Sequence, residues 1–309
     1  MRIMMILLNK SLASTFMLLS SLLFIFDSSY SQEIEPRAYS NLPEGSNFAV
    51  LNYSYTNGNI VSDPAAPIKE LELSANNIVS GYMRTFSLFG KLARLQLTIP
   101  YTFLSGNAKL AGKDTAGTRA GLSDSRIRFG INFIGSPALN IKEYMKYKDE
   151  TIVGASLVIS IPTGQYFEDR LINLGTNRWG FKPELGISRR FGNFYSELYA
   201  GVWFYTANTE YLKTNEVTTD PLFAAQSHFN YVFPNTMWLG ISLGYASGGE
   251  TNVNGVPSDT KQDNWRLGAT FSSPLTRQLS LKLQYHAGAV VRRGSDFDMY
   301  SATLQYFWL

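Results

Sequence analysis

The chain holds two histidines, His228 and His286, and no cysteine, so the side chains best suited to nucleophilic or metal chemistry are few. Two histidines without a thiolate make a poor metal site. A histidine-activated hydrolase would need a serine beside the ring and a third group to orient it. Ser227 adjoins His228, but neighbours on a strand point to opposite faces. No catalytic residue, metal or cofactor is expected. Charge is more informative. Arg94, Arg126, Arg128, Lys182, Arg190, Arg266 and Lys282 fall on the polar parity of alternating segments, as do Asp124, Glu184 and Glu197. Tyr195, Tyr199, Trp203, His228 and His286 fall on the same polar parity. A face so composed either pairs its charges to fill a narrow interior or sets up a field that favours anions and electron-rich solutes. The three aromatics would line a solute path or pack that interior.

The elements that must carry these residues are strands, and the last of them is the most telling. Asp298, Tyr300, Ala302, Leu304, Tyr306 and Trp308 alternate with Ser301, Thr303 and Gln305. That is one apolar and one polar face, and no later residue of the sequence covers the apolar one. In water such a strand invites aggregation. In a membrane it closes a barrel, apolar toward lipid and polar toward the lumen.

The same period runs back through the chain. It predicts strands at about 48–55, 77–86, 92–103, 123–134, 151–161, 178–190, 194–206, 222–233, 236–246, 263–272, 278–291 and 296–309. Their outward residues include Leu95, Leu97, Ile99, Phe129, Leu157, Leu185, Leu198, Phe229, Ile241, Leu267 and Leu283. The second strand alternates too poorly for its faces to be assigned. The segments 56–75, 104–120, 207–220 and 247–262 read as polar loops, and a short amphipathic helix is expected near Ile141–Tyr147. Strands of about 9–13 residues suffice to cross the hydrocarbon when tilted. Connections alternate between short and long, with 137–150 the exception on the short side. Barrels of this type keep short turns in the periplasm, so both termini are expected there. Twelve strands lie between filled eight-stranded barrels and open porins, which predicts a narrow or partly plugged lumen.

Residues 1–31 read as a signal peptide: Arg2 and Lys10, the apolar run Ser11–Phe26, and a small-x-small site at Ser29-Tyr30-Ser31. The run is 16 residues, short of the about 20 a membrane helix needs. Removing Arg2, Lys10 and Asp27 from 27 basic and 24 acidic residues leaves 25 against 23, a net charge of +2. That balance argues against a nucleic-acid partner. Residues 32–47, with Pro36, Pro43 and Gly45, form an aperiodic leader, and 48–309 a single barrel domain.

Several short pieces, spread in order over the chain, carry a resemblance. They are Glu35-Pro36-Arg37-Ala38-Tyr39-Ser40-Asn41-Leu42-Pro43 with Gly45 and Asn47-Phe48, then Ile99-Pro100-Tyr101, Gly121-Leu122-Ser123-Asp124, Ile161-Pro162-Thr163-Gly164 and Leu174-Gly175-Thr176-Asn177-Arg178-Trp179. Together they resemble the outer-membrane "transporter" family associated with the meta-cleavage pathway of phenol degradation. The resemblance implies a barrel in the outer membrane of a Gram-negative bacterium and uptake of hydrophobic or aromatic compounds. Pro100 and Pro162 are expected at strand ends or bulges, since proline cannot donate to a ladder. Asp124 is expected to cap loop backbone or pair with Arg126 or Arg128. The leader is expected to tuck into the barrel mouth as a partial plug. The C-terminal Phe307-Trp308-Leu309 departs from the terminal aromatic that the barrel assembly machinery reads in such proteins.

The sequence therefore predicts an all-β, up-and-down antiparallel transmembrane barrel of about twelve strands, partnered by outer-membrane lipid, the assembly machinery and a small-molecule solute. Its expected role is a passive channel. A sealed structural or surface-binding barrel is the alternative, and a barrel hydrolase the third.

Overall fold

The computed structural model describes residues 34–59, 68–110, 113–148, 151–170, 172–291 and 296–309. The signal-peptide assignment lies outside them. The strands are β1 (Asn47–Asn59), β2 (Ile68–Leu88), β3 (Lys91–Leu110), β4 (Lys113–Leu122), β5 (Ser125–Ile134), β6 (Thr151–Ile161), β7 (Gly180–Phe191), β8 (Phe194–Tyr205) and β9 (Asn208–Tyr211). They continue with β10 (Asn215–Thr219), β11 (Leu222–Val232), β12 (Trp238–Gly248), β13 (Thr251–Val253), β14 (Val256–Pro257), β15 (Gln262–Pro274), β16 (Leu279–Val291) and β17 (Asp296–Trp308). One helical turn, α1 (Ile141–Tyr144), carries a capping box between Asn140 and Glu143. It is shorter than the helix expected there and buries no residue.

Twelve of these strands close an antiparallel barrel: β1, β2, β3, β5, β6, β7, β8, β11, β12, β15, β16 and β17. The seam pairs β1 with β17 from Asn47↔Trp308 to Asn59↔Asp296, so the terminal strand finds its partner in the first. Closure leaves the wall no free edge. Its faces are inverted relative to a water-soluble protein. Ile241 is 66% and Leu185 63% exposed on the outside, whereas Asn230 is 0% and Glu197 2% exposed within. Aromatic pairs flank the outer face at both ends. Tyr82–Trp308 and Phe194–Tyr231 lie toward the short-turn end, Tyr245–Trp265 and Tyr285–Tyr300 toward the other. The unassigned β2 sends Ile78 and Tyr82 outward, and Thr85 inward.

Four expected loops turn out to contain strand. β2 runs for 21 residues and β3 for 20, and at about 3.3 Å per residue both project well beyond the membrane-sized part of the wall. The segment 104–120 completes β3 and supplies most of β4, which pairs with β3 from Tyr101↔Leu122 to Leu110↔Lys113. Within 207–220 and 247–262, β9, β10, β13 and β14 form a separate four-stranded sheet. β4 and the small sheet carry polar residues on both faces, so the period-two signal that marks the wall is weak there, whereas the projecting part of β2 keeps Leu71, Leu73 and Ala75 alternating in sequence with Glu72 and Ser74.

Pro100 lies inside β3 at no register shift with β2, a correction to its expected place at a strand end or bulge. β3 pairs with β5 from Ala93 to Thr98 and with β4 from Tyr101 onward. Pro100 stands between the two, where one edge of β3 changes partner and no N–H is required. Its carbonyl accepts from Ser123 N at 3.0 Å. Pro162 directly follows β6, at a strand end.

Candidate functional site

The interior holds the leader. Just before β1, Gly45 N donates to Thr85 O (3.0 Å) and Thr85 N to Ser46 O (2.9 Å), which fastens the leader to the end of β2. Thr85 Oγ1 also donates to Pro43 O at 2.6 Å. Going back along the chain, Glu44 N donates to Leu139 O (2.8 Å) and Ser136 Oγ to Asn41 Oδ1 (2.6 Å). Both partners lie between β5 and α1, so the exceptionally long connection on the short side serves to hold the leader. Arg94 then donates to Ala38 O (2.5 Å) and Ser40 O (2.8 Å), and Asn132 Nδ2 to Tyr39 O (2.9 Å). Residues 36–39 turn sharply, with Arg37 at φ 65°. Beyond the turn, Arg37 N donates to Glu197 Oε2 (2.8 Å) and Glu35 N to Gln226 Oε1 (3.0 Å). Ile34 is 3% exposed, and its Cδ1 lies beside Gly268 of β15. The segment thus crosses the lumen from β2 to β15.

Tyr39 is the centre of this packing. Its hydroxyl lies 3.0 Å from Ser156 Oγ and donates to Glu184 Oε1 at 3.1 Å. Its ring meets Tyr199 edge-on at 4.9 Å. Burial, reinforced by the Glu184 charge, pushes the phenol up to about 12, so it stays a neutral donor. Glu184 also accepts from Arg128 Nη2 (2.7 Å) and Lys182 Nζ (2.8 Å), and Arg128 Nη1 reaches Glu35 at 2.8 Å. An arginine and a lysine of the wall and a tyrosine of the leader therefore share a single carboxylate. The wall makes room for the ring with glycines. Gly154 and Gly186 are direct partners across β6 and β7. A Cβ on Gly186 would stand 2.3 Å from the Tyr39 ring, and one on Gly154 2.7 Å.

Of the residues expected in the lumen, Arg94, Arg128, Lys182, Glu184, Glu197, Tyr195 and Tyr199 come together around the leader. Glu197 accepts from Ser188 Oγ (3.0 Å) and Asn230 Nδ2 (3.0 Å) as well as from Arg37 N. Tyr195 lies beneath the Arg37 guanidinium at 4.4 Å. Others are elsewhere. Arg266, 2% exposed, donates to Phe297 O (2.6 Å) and stacks over the Phe297 ring, tying β15 to the start of β17. His286 is buried against Gly268, and Lys282 is half-buried on the inward parity of β16. Arg190 bonds Gly192 O in the β7–β8 turn, and its guanidinium lies 5.6 Å from the Tyr195 ring centroid. Arg126 and Trp203 lie toward the long-loop end. His228 Nδ1 lies 2.8 Å from Ser242 Oγ, and both side chains are buried.

Asp124 sits outside the lumen proper. Its Oδ1 accepts from Gly164 N (2.9 Å), and its Oδ2 from Thr176 N (2.9 Å) and Thr176 Oγ1 (2.6 Å). Gln165 N donates to Leu122 O and Gly175 N to Gln165 O. A Cβ on Gly164 would stand 2.5 Å from Gly175 Cα. Three of the sequence pieces that carry the resemblance, 121–124, 161–164 and 174–179, meet at this one junction. The loop into β7 leaves it with Arg178 over the inward Tyr205 ring and Trp179 stacked on Phe181.

A family model described as "Putative MetA-pathway of phenol degradation" matches residues 56–298. The chain belongs to this family. Among solved structures, the phenol-degradation family member is similar to an outer membrane channel of Pseudomonas putida F1. The identity is 20% and the TM-score 0.76, over 89% of this chain and 100% of the other. It is also similar to the β domain of the Bordetella autotransporter BrkA, at 15% identity and a TM-score of 0.51, over 86% of this chain and 100% of that one. Both likenesses bear on the fold, a closed barrel of the outer-membrane type. No curated protein matches. The family member's leader contacts were largely beyond sequence reasoning. Glu35, Arg37 and Tyr39 were visible only as parts of a motif. The signal that could have pointed to their seat is the pair of inward glycines, Gly154 and Gly186, at equivalent heights on adjacent strands.

Proposed function

We propose that this protein is an outer-membrane channel for passive entry of small hydrophobic or aromatic solutes, with its leader as a plug. One observation carries the reading: the lumen is filled by a segment held through hydrogen bonds and ion pairs, over wall positions kept small by glycine and serine. A barrel filled by its own wall side chains has no opening to gain. One filled by a separable segment does. Barrels keep short turns periplasmic, so the leader enters from the periplasm and both barrel termini lie there. Export by a signal peptide over residues 1–31 and insertion by the assembly machinery complete this reading. The outward apolar belt between its aromatic rings then meets lipid. Leu283→Arg, on that belt, is expected to cost about 2–4 kcal/mol, measured by denaturant unfolding in bilayers; parental stability would overturn the lipid-facing assignment.

The test of the channel is planar-bilayer conductance with and without residues 34–42. Pro43–Ser46 are kept because they fasten β1 to β2. The full chain is expected to give small discrete openings, and the shortened one several-fold larger openings. The number of buried bonds on the leader favours a second reading, a permanently sealed barrel. Silence from the full chain with openings from the shortened one would make the leader a permanent seal, and silence from both, each folded by its heat-modifiable mobility on a gel, would mean a barrel sealed by its own wall.

A further inference from the structure

Beyond the leader, toward the long-loop end, the lumen wall changes character. Trp203 and Tyr205, both inward and half-buried on β8, lie nearly parallel at 8° with ring centroids 5.8 Å apart. Gly180 on β7 leaves them space: a Cβ there would stand 3.3 Å from each ring. Three cations surround the pair. Arg178 Cζ lies 4.5 Å from the Tyr205 centroid, Lys182 Nζ 5.5 Å and Arg126 Cζ 5.9 Å from that of Trp203. They come from three places, β5, β7 and the loop that the Asp124 junction fixes. Arg178 Nη1 is steadied by Thr219 Oγ1.

We propose that this cluster is a binding site for planar aromatic carboxylates. An aromatic ring gains from stacking beside Trp203 and Tyr205, and the two arginines, already gathered at the ring faces, supply a carboxylate's counter-charge, Lys182 being engaged by Glu184. Arginine adds the forked, two-point geometry that a carboxylate matches. Inward charges support the same sign. Arg94, Arg126, Arg128, Lys182, Arg266 and Lys282 on the wall outnumber Glu184 and Glu197. Neutral phenols would keep the stacking and forgo the charge; alicyclic acids would do the reverse. The site lies on the solute path proposed above, and its part in passage rests on that reading.

Ligand-observed NMR titration of the full chain, purified from the outer membrane into nanodiscs, tests this with benzoate, phenol and cyclohexanecarboxylate as probes. Benzoate is expected to bind saturably and about three- to ten-fold more tightly than either comparator. Trp203→Leu and Arg178→Gln are each expected to weaken benzoate by a similar factor, while Trp203→Phe retains most of the binding. Equal binding of benzoate and cyclohexanecarboxylate, or no effect of Trp203→Leu in a folded barrel, overturns the proposal. Conductance in potassium chloride is recorded from the same preparations. Openings without benzoate selectivity sink the site and leave the channel. Selective binding without openings leaves the site and sinks the channel.

Discussion

Glu184→Ala is expected to unseat the leader and to destabilise the barrel by about 3 kcal/mol. The carboxylate is the common acceptor of Arg128, Lys182 and the Tyr39 hydroxyl, and its side chain is only 4% exposed. Breaking a buried ion pair from one side costs about 3–5 kcal/mol, because the remaining charge stays behind without its partner. Here two cations remain, facing one another across the vacated space. Glu35, 42% exposed, still contacts Arg128, which lets water reach that end and places the expected cost at the lower bound. Glu184→Gln is the informative companion. It keeps one of the two acceptor oxygens, enough for Tyr39 or for Lys182 but not for both, and removes the charge. Adding Lys182→Met to Glu184→Ala is expected to recover part of the loss, as groups sharing one partner are not additive. Denaturant midpoints for the parent, Glu184→Ala, Lys182→Met and the double variant give the cycle. If Glu184→Ala matches the parent both in midpoint and in protection of the leader from trypsin at Arg37, the carboxylate is not the hub.

The wall and its contents were unequally legible. Period-two alternation placed Leu95, Leu97, Ile99, Leu157, Leu185, Leu198, Phe229, Ile241 and Leu267 on the exposed face, because a strand with an apolar and a polar side must alternate. β2 resisted because its inward side carries Gly81, Val79 and Met83 as well as polar residues, so hydrophobicity does not separate its faces. β4 and the small sheet of β9, β10, β13 and β14 carry polar residues on both faces. Their strands leave only a weak trace in a hydrophobic pattern. The leader's seat was hidden for another reason. Arg37 meets Glu197 and Glu35 meets Gln226 across 160 and 191 residues of chain. Such contacts follow from closure of the barrel, not from any local spacing. Asp124 is the intermediate case. Its capping of loop backbone was one of two roles open to it, and the structure selects that one through Gly164 and Thr176 rather than through Arg126 or Arg128.

The glycine seat permits a sharper test of the plug than deleting it, since a single methyl group is added and every leader residue remains. A Cβ at position 186 would lie 2.3 Å from Tyr39 Cε2 and 2.4 Å from Cδ2, closer than unbonded carbons approach. The ring lies close to β6 as well, since a Cβ added at the paired Gly154 would stand 2.7 Å from it. In Gly186→Ala the ring must leave, and the hydroxyl loses Ser156 and Glu184 with it. Overpacking of this kind costs about 1–3 kcal/mol, which raises the unseated fraction roughly 5- to 150-fold. The barrel itself should not suffer, since glycine inside a strand is the weaker choice and alanine orders the chain at least as well. The expected signature is therefore divided. Open probability in bilayers and trypsin cleavage at Arg37 both rise, while the unfolding midpoint of the barrel stays level or increases. Tyr39→Ala should raise opening on its own, and adding it to Gly186→Ala should bring little more, because the ring is already out. Full additivity of the two would mean that Gly186 and Tyr39 act at separate places. An unchanged open probability in Gly186→Ala would mean that the seat of Tyr39 does not hold the leader in the lumen.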